Sequence, residues 1–376
     1  MQLTPSSMWE VLRTASHYSL RRYGRYLVAE LVGPHQVLST SARNGGQVRG
    51  VRYLGNHQSC EGAGHTERHN LVKALGQESY HDVVCREIGL PAAEVALMGT
   101  AANMNYAAIA TQEDRQVMVS AVVTAGVQGN ATCAGDPAGW REGEQGWEKI
   151  DGTINTMLLI NQPLTEGAMA RAVMTMTEGK SAALQRLSVR SLYSADFATG
   201  TGTDQFAIAA PIAGDHQLTS TSTHVKLGEL IARAVRDAIL EALRWQNGLE
   251  SSYTRSVFAA LGSLGLKEAT FFDEIAPMLS EADLALMRKN SKSVFYEPLV
   301  AAAAFAFAAV LDRVRYGTLP ASASQEALRQ QAASISAGLS AKPYLWENFR
   351  TQLTEADPIR LLLQAFALGW STKWQS

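Results

Sequence analysis

Short apolar segments separated by glycine-rich turns fill the first two thirds of the chain. Runs of strand length lie at 25–31, 35–42, 95–101, 153–160 and 205–211. Apolar and β-branched runs of this length, bounded by Gly, Pro, Asn or Asp, are typical of β-strands. The runs at 105–111 and 116–126 flank a polar tip and predict a β-hairpin.

The segment 165–187 has the spacing of an amphipathic helix. With residues about 100° apart around the axis, one face collects Met169, Val173, Met176, Leu184 and Leu187. Lys180 lies in the middle of that face, and Glu178 lies opposite it. A lysine is costly to bury unless it has a partner or a task, although near a helix end its ammonium can reach water. Lys180 is therefore a candidate site residue, with a solvent-reaching lysine as the alternative.

A second amphipathic pattern covers 223–243. Its apolar face carries Leu227, Ile231, Val235, Ala238 and Ala242, and His224 lies on the same face in the first turn. Thr223 is a natural N-cap residue. A helix N-terminus disfavours positive charge, so a neutral His224 is a candidate proton acceptor; the alternative is a ring that only packs and caps.

The composition changes near residue 248, where Ala, Leu, Ser and Gln with helical spacing take over. Ser280, with Asp283 three residues later, is a capping signal, and the apolar run 299–311 is too short to cross a bilayer. We expect a catalytic domain over 1–250 and an all-helical part over 251–376. The helical part either packs on the core or makes a homo-oligomer contact, and we assign it no chemistry.

Charge and cysteine content argue against a nucleic-acid-binding protein and against a disulfide-bonded secreted protein. Charged residues make up 18%, the net charge is -2 and no basic segment suits nucleic acid. The N-terminus has no charged segment followed by an apolar one, as a secretory signal would. Three cysteines without disulfide spacing fit a reduced compartment. We expect a soluble cytoplasmic protein that binds neither nucleic acid nor membrane.

The stretch "ATGTGTD" at 198–204 invites comparison with a phosphate-binding loop. Such a loop ends in Gly-Lys-Ser/Thr or opens a helix with a third glycine. Here no lysine follows and an apolar, strand-like run comes next. The pattern excludes a nucleotide site.

The densest group of titratable residues is His57, Cys60, His65 and His69. Histidine and cysteine are good zinc ligands, but this spacing matches no standard zinc motif. We expect no metal at Cys60, His65 and His69, and instead a polar loop with one functional histidine. His57, which follows an apolar segment most closely, is the favoured one.

Polar side chains recur where apolar runs end. Asparagine offers both a donor and an acceptor, and glycine lets the backbone approach a ligand closely. Each residue by itself is typical of a turn, but together they suggest a rim of amide-reading groups. The candidate substrate-binding residues are Asn44, Gly45, Gly46, Asn56, Asn103, Asn130, Asp136, Asn155, Gly200, Gly202 and Thr203.

Several separated blocks, in order, resemble the adenosylcobinamide amidohydrolase family. They lie at 41–46, 56–58, 124–137, 151–160, 164–194, 198–204 and 222–235, so the resemblance spans about 35–245. Gly179 stands where we expect alanine, which should weaken the helix by about 1 kcal/mol. The segment 139–149 is longer than the resemblance leads us to expect.

The resemblance implies hydrolysis of the amide that joins aminopropanol to the corrin ring of adenosylcobinamide. The products are adenosylcobyric acid and aminopropanol, which places the reaction in corrinoid salvage, cobalamin biosynthesis and cobamide remodelling. Cobalt enters within the small corrinoid substrate, and no further cofactor is expected.

Amide hydrolysis needs a nucleophile, a stabilised oxyanion and a proton for the leaving amine. We expect His224 or His57 to activate water and Lys180 to polarise the carbonyl or protonate the amine. Asp204 would orient one of these groups, with Glu178 in the same set and Thr201 as the alternative nucleophile.

The fold that suits these patterns is α+β, with a mixed, largely antiparallel sheet, packed helices and a helical C-terminal part. Two other functions stay open. One is a corrinoid-binding protein without hydrolysis, and the other is a metal-dependent amidase that acts on another substrate.

Overall fold

The computed structural model describes residues 9–60, 67–138, 153–214 and 216–375. The chain forms two compact units, Met1–Leu249 and Glu250–Ser376. The first combines sheets and helices, and the second is helical. The expected α+β fold with a helical C-terminal part is confirmed.

The first unit contains the strands. They are β1 Glu10–Thr14, β2 Tyr18–Tyr23, β3 Tyr26–Leu31, β4 His35–Ser39, β5 Gly46–Arg49, β6 Tyr53–Gln58, β7 Val95–Thr100, β8 Ala108–Asp114, β9 Val117–Ala125, β10 Ala131–Thr132, β11 Ile154–Ile160, β12 Gly200–Thr201 and β13 Gln205–Pro211. Its helices are α1 Glu67–Glu87, α2 Glu166–Arg186 and α3 Lys226–Asn247.

These strands form two large sheets and a two-stranded ribbon. The first sheet has the order β1-β2-β3-β6-β7, the second has the order β5-β4-β13-β11-β9-β8, and β10 pairs with β12. Pairing is antiparallel except between β6 and β7 and between β11 and β13. The prediction of a mixed, largely antiparallel arrangement is therefore correct, but it is divided between two sheets.

The first unit has four layers: helix α1, the first sheet, the second sheet, and helices α2 and α3. On β11, Met157 and Leu159 share a core with residues of the first sheet, whereas Leu158 and Ile160 pack with residues of α2 and α3. Successive side chains of a strand point to opposite faces, so the two sheets pack face to face and α2 and α3 cover the second. A smaller cluster that includes Tyr80 and Val84 of α1 packs on the outer face of the first sheet.

The bounds of helix α2 agree with the predicted segment 165–187. Thr165 caps the helix by accepting a hydrogen bond of 3.2 Å from Ala168 N. For α3 the predicted start is wrong. The helix begins at Lys226 after Val225, so Thr223 is not its cap and His224 precedes it. A Cβ atom at Gly179 of α2 would lie 2.9 Å from the carbonyl oxygen of Ala232, so this glycine allows α2 and α3 to approach closely.

The predicted strands at 25–31, 35–42, 95–101, 153–160 and 205–211, and the hairpin, are all present within a few residues. Strands β1, β2, β5 and β6 and helix α1 were not predicted. Helix α1 contains a kink at Gly76, whose φ of 75° is left-handed. Polar residues and glycines interrupt the apolar pattern in these segments.

The second unit consists of α4 Ser251–Thr254, α5 Val257–Leu261, α6 Glu268–Ile275, α7 Glu281–Lys289, α8 Ser291–Phe295, α9 Pro298–Arg315, α10 Ala321–Ser340, α11 Trp346–Gln352 and α12 Pro358–Thr372. Its core contains the edge-to-face rings of Phe271, Phe295 and Phe366. The predicted cap is confirmed, since Ser280 accepts a hydrogen bond of 3.1 Å from Asp283 N. Within the described residues, no helix combines the length and apolar character needed to cross a membrane.

Candidate active site

Polar residues from five strands meet at one end of the first unit. Asn56 and Gly99 lie at the carboxyl ends of the parallel strands β6 and β7, where His57 pairs with Gly99. Asn155, near the start of β11, pairs with Thr124 of β9 on one side and with Gln205 of β13 on the other. The sheet pairings thus bring together segments that are distant in sequence.

A buried amide network joins the two sheets at this end. Asn155 donates hydrogen bonds of 2.9 Å to Asn56 Oδ1 and 3.0 Å to the carbonyl oxygen of Gly99. Asn56 in turn donates to Thr124 Oγ1 at 2.8 Å. Asn155 is 0% exposed and Asn56 is 2% exposed. Buried polar groups are costly when they lose their partners, so this network fixes the strand ends against each other.

An ion pair lies beside the network, on the side of the second sheet that α2 covers. Lys180 of α2 donates to Asp204, and the two side chains are each 17% exposed. Asp204 also accepts hydrogen bonds from the Thr201 hydroxyl, from Thr201 N and, at 3.0 Å, from Ile154 N. A carboxylate that accepts this many hydrogen bonds is strongly oriented. It holds the ammonium of Lys180 in place.

Two glycines of the "ATGTGTD" stretch give room for neighbouring side chains, and one of them, Gly200, lies against this ion pair. A Cβ atom at Gly200 would lie 2.7 Å from Lys180 Nζ and closer still to Asp204 Oδ2. A Cβ atom at Gly202 would lie 3.0 Å from Asn130 Nδ2. The stretch therefore brings backbone against charged and amide groups, which only glycine permits.

The loop at 130–136 supports the glycine stretch from outside. Thr201 pairs with Ala131 across the ribbon, and Ala134 N donates to Thr199 Oγ1 at 2.9 Å. Asp136 accepts from Cys133 N at 2.7 Å and from the hydroxyl of Ser191. Although desolvation opposes its ionisation, hydrogen bonds, first among them that from Ser191, lower the pKa of Asp136 to about 2. Asp136 thus holds a loop together.

The carbonyl oxygen of Thr203 completes the link to the amide network, because it accepts a hydrogen bond from Thr153 Oγ1. That hydroxyl also lies 3.3 Å from Asn155 Oδ1. On the other side of the glycine stretch, the side chain of Asn130 is buried and accepts a hydrogen bond of 3.2 Å from Tyr193 OH.

His57 lies on a different face. Its Nε2 is 2.8 Å from Tyr80 OH of α1, and its ring stacks on Tyr26 with centroids 5.9 Å apart. The residue is 1% exposed and lines a cavity of about 180 Å³. Neighbouring strand residues point to opposite faces, so Asn56 enters the space between the sheets while His57 faces α1.

The structure does not bring His224 to this end of the unit. His224 is exposed and precedes α3, whereas the far end of α3 reaches the strand ends, where Gln246 accepts from Asn103 N at 3.0 Å. A helix of 22 residues is about 33 Å long at 1.5 Å per residue. Glu178 is exposed on α2. The predicted convergence of Lys180, Asp204 and His224 therefore holds only for the first two.

Three predicted rim residues instead build the turn between β4 and β5. Asn44 has a left-handed φ of 59° and donates to the carbonyl oxygens of Ala92 and Val95 at 3.0 and 2.8 Å. Gly46 has a φ of 72°, and a Cβ atom at Gly45 would collide with the backbone of Ser41.

Asn103 also has a local role, because its side chain accepts from Asn105 N at 2.8 Å and caps a short 3₁₀ helix. These contacts account for Asn44, Gly45, Gly46 and Asn103 as turn residues.

Within the described residues, no three His, Cys, Asp or Glu side chains are grouped as a metal would require. Of the predicted cluster, Cys60 is described and partly buried, while His65 and the side chain of His69 lie outside the described residues. The long segment 139–149 lies outside them as well.

The part of the chain that resembles known proteins lies mainly in the first unit. The family model described as adenosylcobinamide amidohydrolase matches residues 10–251. An uncharacterized protein of Methanocaldococcus jannaschii is 35% identical over 236 residues, which cover 60% of this chain and 88% of that protein. The crystal structure of the PH0078 protein from Pyrococcus horikoshii OT3 aligns with 62% of this chain and 82% of its own, at 11% identity and a TM-score of 0.30. That likeness is too weak to indicate a shared function.

Proposed function

Because the chain belongs to the adenosylcobinamide amidohydrolase family, we propose that it hydrolyses the amide between aminopropanol and the corrin ring of adenosylcobinamide. The reaction returns adenosylcobyric acid to corrinoid salvage and remodelling. The family match supports the substrate, and the geometry at Lys180 and Asp204 supports the chemistry.

One observation carries the proposal. The ammonium of Lys180 is held by Asp204 against a backbone that has no side chain at Gly200. A fixed positive charge stabilises the oxyanion that forms when an amide carbonyl is attacked. Since Asp204 already orients the ammonium, little reorganisation is needed during the reaction.

The protons balance with Lys180 as the acid. Water adds to the carbonyl carbon, and the C–N bond breaks as Lys180 donates a proton to the leaving nitrogen. The attacking water loses two protons: one passes to the departing amine, and the other, through the new carboxylic acid, returns to Lys180. The products are a carboxylate and a protonated amine. Cobalt stays within the substrate, and no step uses a further ion.

Thr201 supports the proposed centre through its hydroxyl and amide contacts to Asp204. As a nucleophile it would need an adjacent base, and Asp204 is engaged by several donors. We therefore assign the attack to water. His224 is exposed and precedes the first residue of α3, at the end opposite Gln246. It therefore has no role in this scheme.

The test is the release of aminopropanol from adenosylcobinamide, followed by mass spectrometry. Wild-type protein should yield adenosylcobyric acid and aminopropanol in equal amounts. A protein that binds the corrinoid and leaves the amide intact would replace the hydrolase by a binding protein. Activity that is lost on treatment with a chelator and restored by zinc would favour the metal-dependent amidase.

A further inference from the structure

A partly open polar cavity lies beside His57, on the α1 side of the strand ends, and we call it the His57 cavity. Its volume is about 180 Å³, which is about six times the roughly 30 Å³ that a water molecule occupies in the liquid. It is much too small for a corrin ring and large enough for one short side arm.

The walls of the His57 cavity combine apolar surface with neutral hydrogen-bonding groups. Val72 and Leu97 supply apolar surface, while Gln77, His81 and Gln205 supply amide and imidazole groups. No Asp, Glu, Lys or Arg is among the described residues that line it. A ligand of this cavity should therefore be short, uncharged and polar at its end.

Existing contacts show which hydrogen-bonding groups remain for a ligand. Gln205 Oε1 accepts from Gly99 N at 3.1 Å, so with respect to the described residues the amide NH₂ of Gln205 is left as a donor. His81 Nε2 lies 3.1 Å from the carbonyl oxygen of Ala92. That nitrogen must donate, which leaves Nδ1 as an acceptor in the neutral ring. Burial lowers the pKa of His81 and favours this neutral form.

One donor and one acceptor, with apolar walls between them, are complementary to a carboxamide at the end of a short hydrocarbon arm. A corrin carries many such amides, and only one of them joins aminopropanol. Gln205 of β13 faces the first sheet, where it accepts from Gly99 N, whereas Asp204, just before β13, binds Lys180 of α2 on the other face of the second sheet. A ring broad enough to reach both sides would use two different arms.

We propose that the His57 cavity binds a neutral carboxamide arm of the corrinoid other than the arm that is cleaved. The assignment rests on the proposed function for the identity of the ligand. It gives His57 and its neighbours a role in binding and positioning the ring, while the reaction takes place at Lys180.

The first experiment tests the chemical class of the ligand without any hydrolysis. Propionamide, propanoate and propylammonium are titrated into the full chain, and the imidazole signals of His57 and His81 are followed by NMR. Propionamide alone should shift these signals in a saturable way. No response to propionamide, or an equal response to the two ions, would overturn the assignment.

The second experiment uses adenosylcobyric acid, which keeps the uncleaved arms. Gln205→Leu removes the proposed amide donor, and Ala42→Leu fills the edge of the cavity. Loss of one neutral hydrogen bond, about 0.5–1.5 kcal/mol, corresponds to a Kd roughly 3- to 10-fold higher. The matched controls Gln185→Leu and Ala170→Leu, both at exposed positions of α2, should bind as the wild type does.

Hydrolysis of adenosylcobinamide by the same variants separates the two proposals. Binding that is equal in the ground and transition states changes KM and leaves kcat unchanged, so both cavity variants should raise KM only. If the wild type hydrolyses the substrate and the cavity variants match their controls, the arm-binding inference is wrong and the proposed function stands. If the wild type neither binds nor hydrolyses corrinoids, both fail.

Discussion

Gly200 lies so close to Lys180 that a Cβ atom at position 200 would be 2.7 Å from the lysine Nζ. Gly200→Ala must therefore displace the Lys180 ammonium and the Asp204 carboxylate from their present positions while leaving both charges in the protein. If the ion pair forms the reaction centre, kcat/KM for aminopropanol release should fall about 10²- to 10³-fold, as it does when one oxyanion donor is removed elsewhere.

Gly167→Ala is the matched control, because a Cβ atom at Gly167 meets nothing within 4 Å. It should keep wild-type activity and gain up to about 1 kcal/mol of helix stability. Circular dichroism checks that both variants fold. Wild-type activity in folded Gly200→Ala would remove the ion pair from the reaction centre.

Lys180 and Asp204 should behave as one unit. Lys180→Met and Asp204→Asn are each expected to lower kcat about 10²- to 10³-fold, and the double variant should be little worse than either, since groups that act together are not additive. The unfolding free energies of the four proteins give a coupling of about 1–3 kcal/mol. Additive kinetic losses, with no coupling, would mean that the two residues act separately.

Thr201 distinguishes attack by water from a covalent mechanism. Thr201→Val keeps the shape of the side chain and the backbone N–H contact to Asp204 and removes the hydroxyl. With water as the nucleophile, we expect a loss of about 10-fold or less, and hydroxylamine should trap no acyl-enzyme. A loss above about 10³-fold, together with a trapped acyl group in the wild type, would identify Thr201 as the nucleophile.

Asn155 should contribute to stability more than its small size suggests. Asn155→Leu leaves Asn56 Oδ1 and the carbonyl oxygen of Gly99 without their present donor in a buried site. Each such loss costs about 1–3 kcal/mol, so urea unfolding should show a destabilisation of about 2–6 kcal/mol. Asn161→Leu, after the same strand, removes hydrogen bonds to Met118 N and to the carbonyl oxygen of Gln116 at a partly exposed position. Because water can replace them there, it should cost less, about 1 kcal/mol. Equal losses would mean that the network has no special role.

The sequence was most informative where the hydrophobic pattern of a helix and the chemistry of one of its residues pointed to the same conclusion. Lys180 in an apolar helix face called for a partner, and Asp204 is that partner across 24 residues of chain. The sequence did not reveal strand β6, because Asn56 by itself is typical of a turn at the end of an apolar run. A Cβ atom at Gly55 would lie 2.7 Å from Leu97 Cδ1, so that glycine serves close strand packing.

Because β6 was not predicted, the alternation of side chains along a strand could not be used to place Asn56 and His57 on opposite faces. His224 was misplaced for a related reason, since helical spacing fixes the face of a helix more firmly than its first residue. Gln205 and Thr124 were missed because their partners come from other strands, and only strand pairing could have shown them.

His17 should make the unfolding free energy depend on pH. It is 5% exposed, so a charged imidazolium would be poorly solvated at this position. Burial, assisted by His35, lowers the pKa of His17 from 6.5 to about 4. Between these two values the unfolded chain binds more protons than the folded one, so stability must fall as the pH falls. The decrease that His17 alone can cause is at most about 3 kcal/mol.

Urea unfolding of wild type and His17→Phe at pH 7.5, 6 and 5 measures this contribution. The phenyl ring keeps the edge contact with Tyr18 and cannot take up a proton, so the variant should lose less stability between pH 7.5 and 5 than the wild type loses. The carboxylates titrate alike in both proteins, and His224→Gln, at an exposed position, should follow the wild type. Parallel pH profiles for wild type and His17→Phe would mean that another group controls the acid sensitivity, with His35 next in order because burial also lowers its pKa.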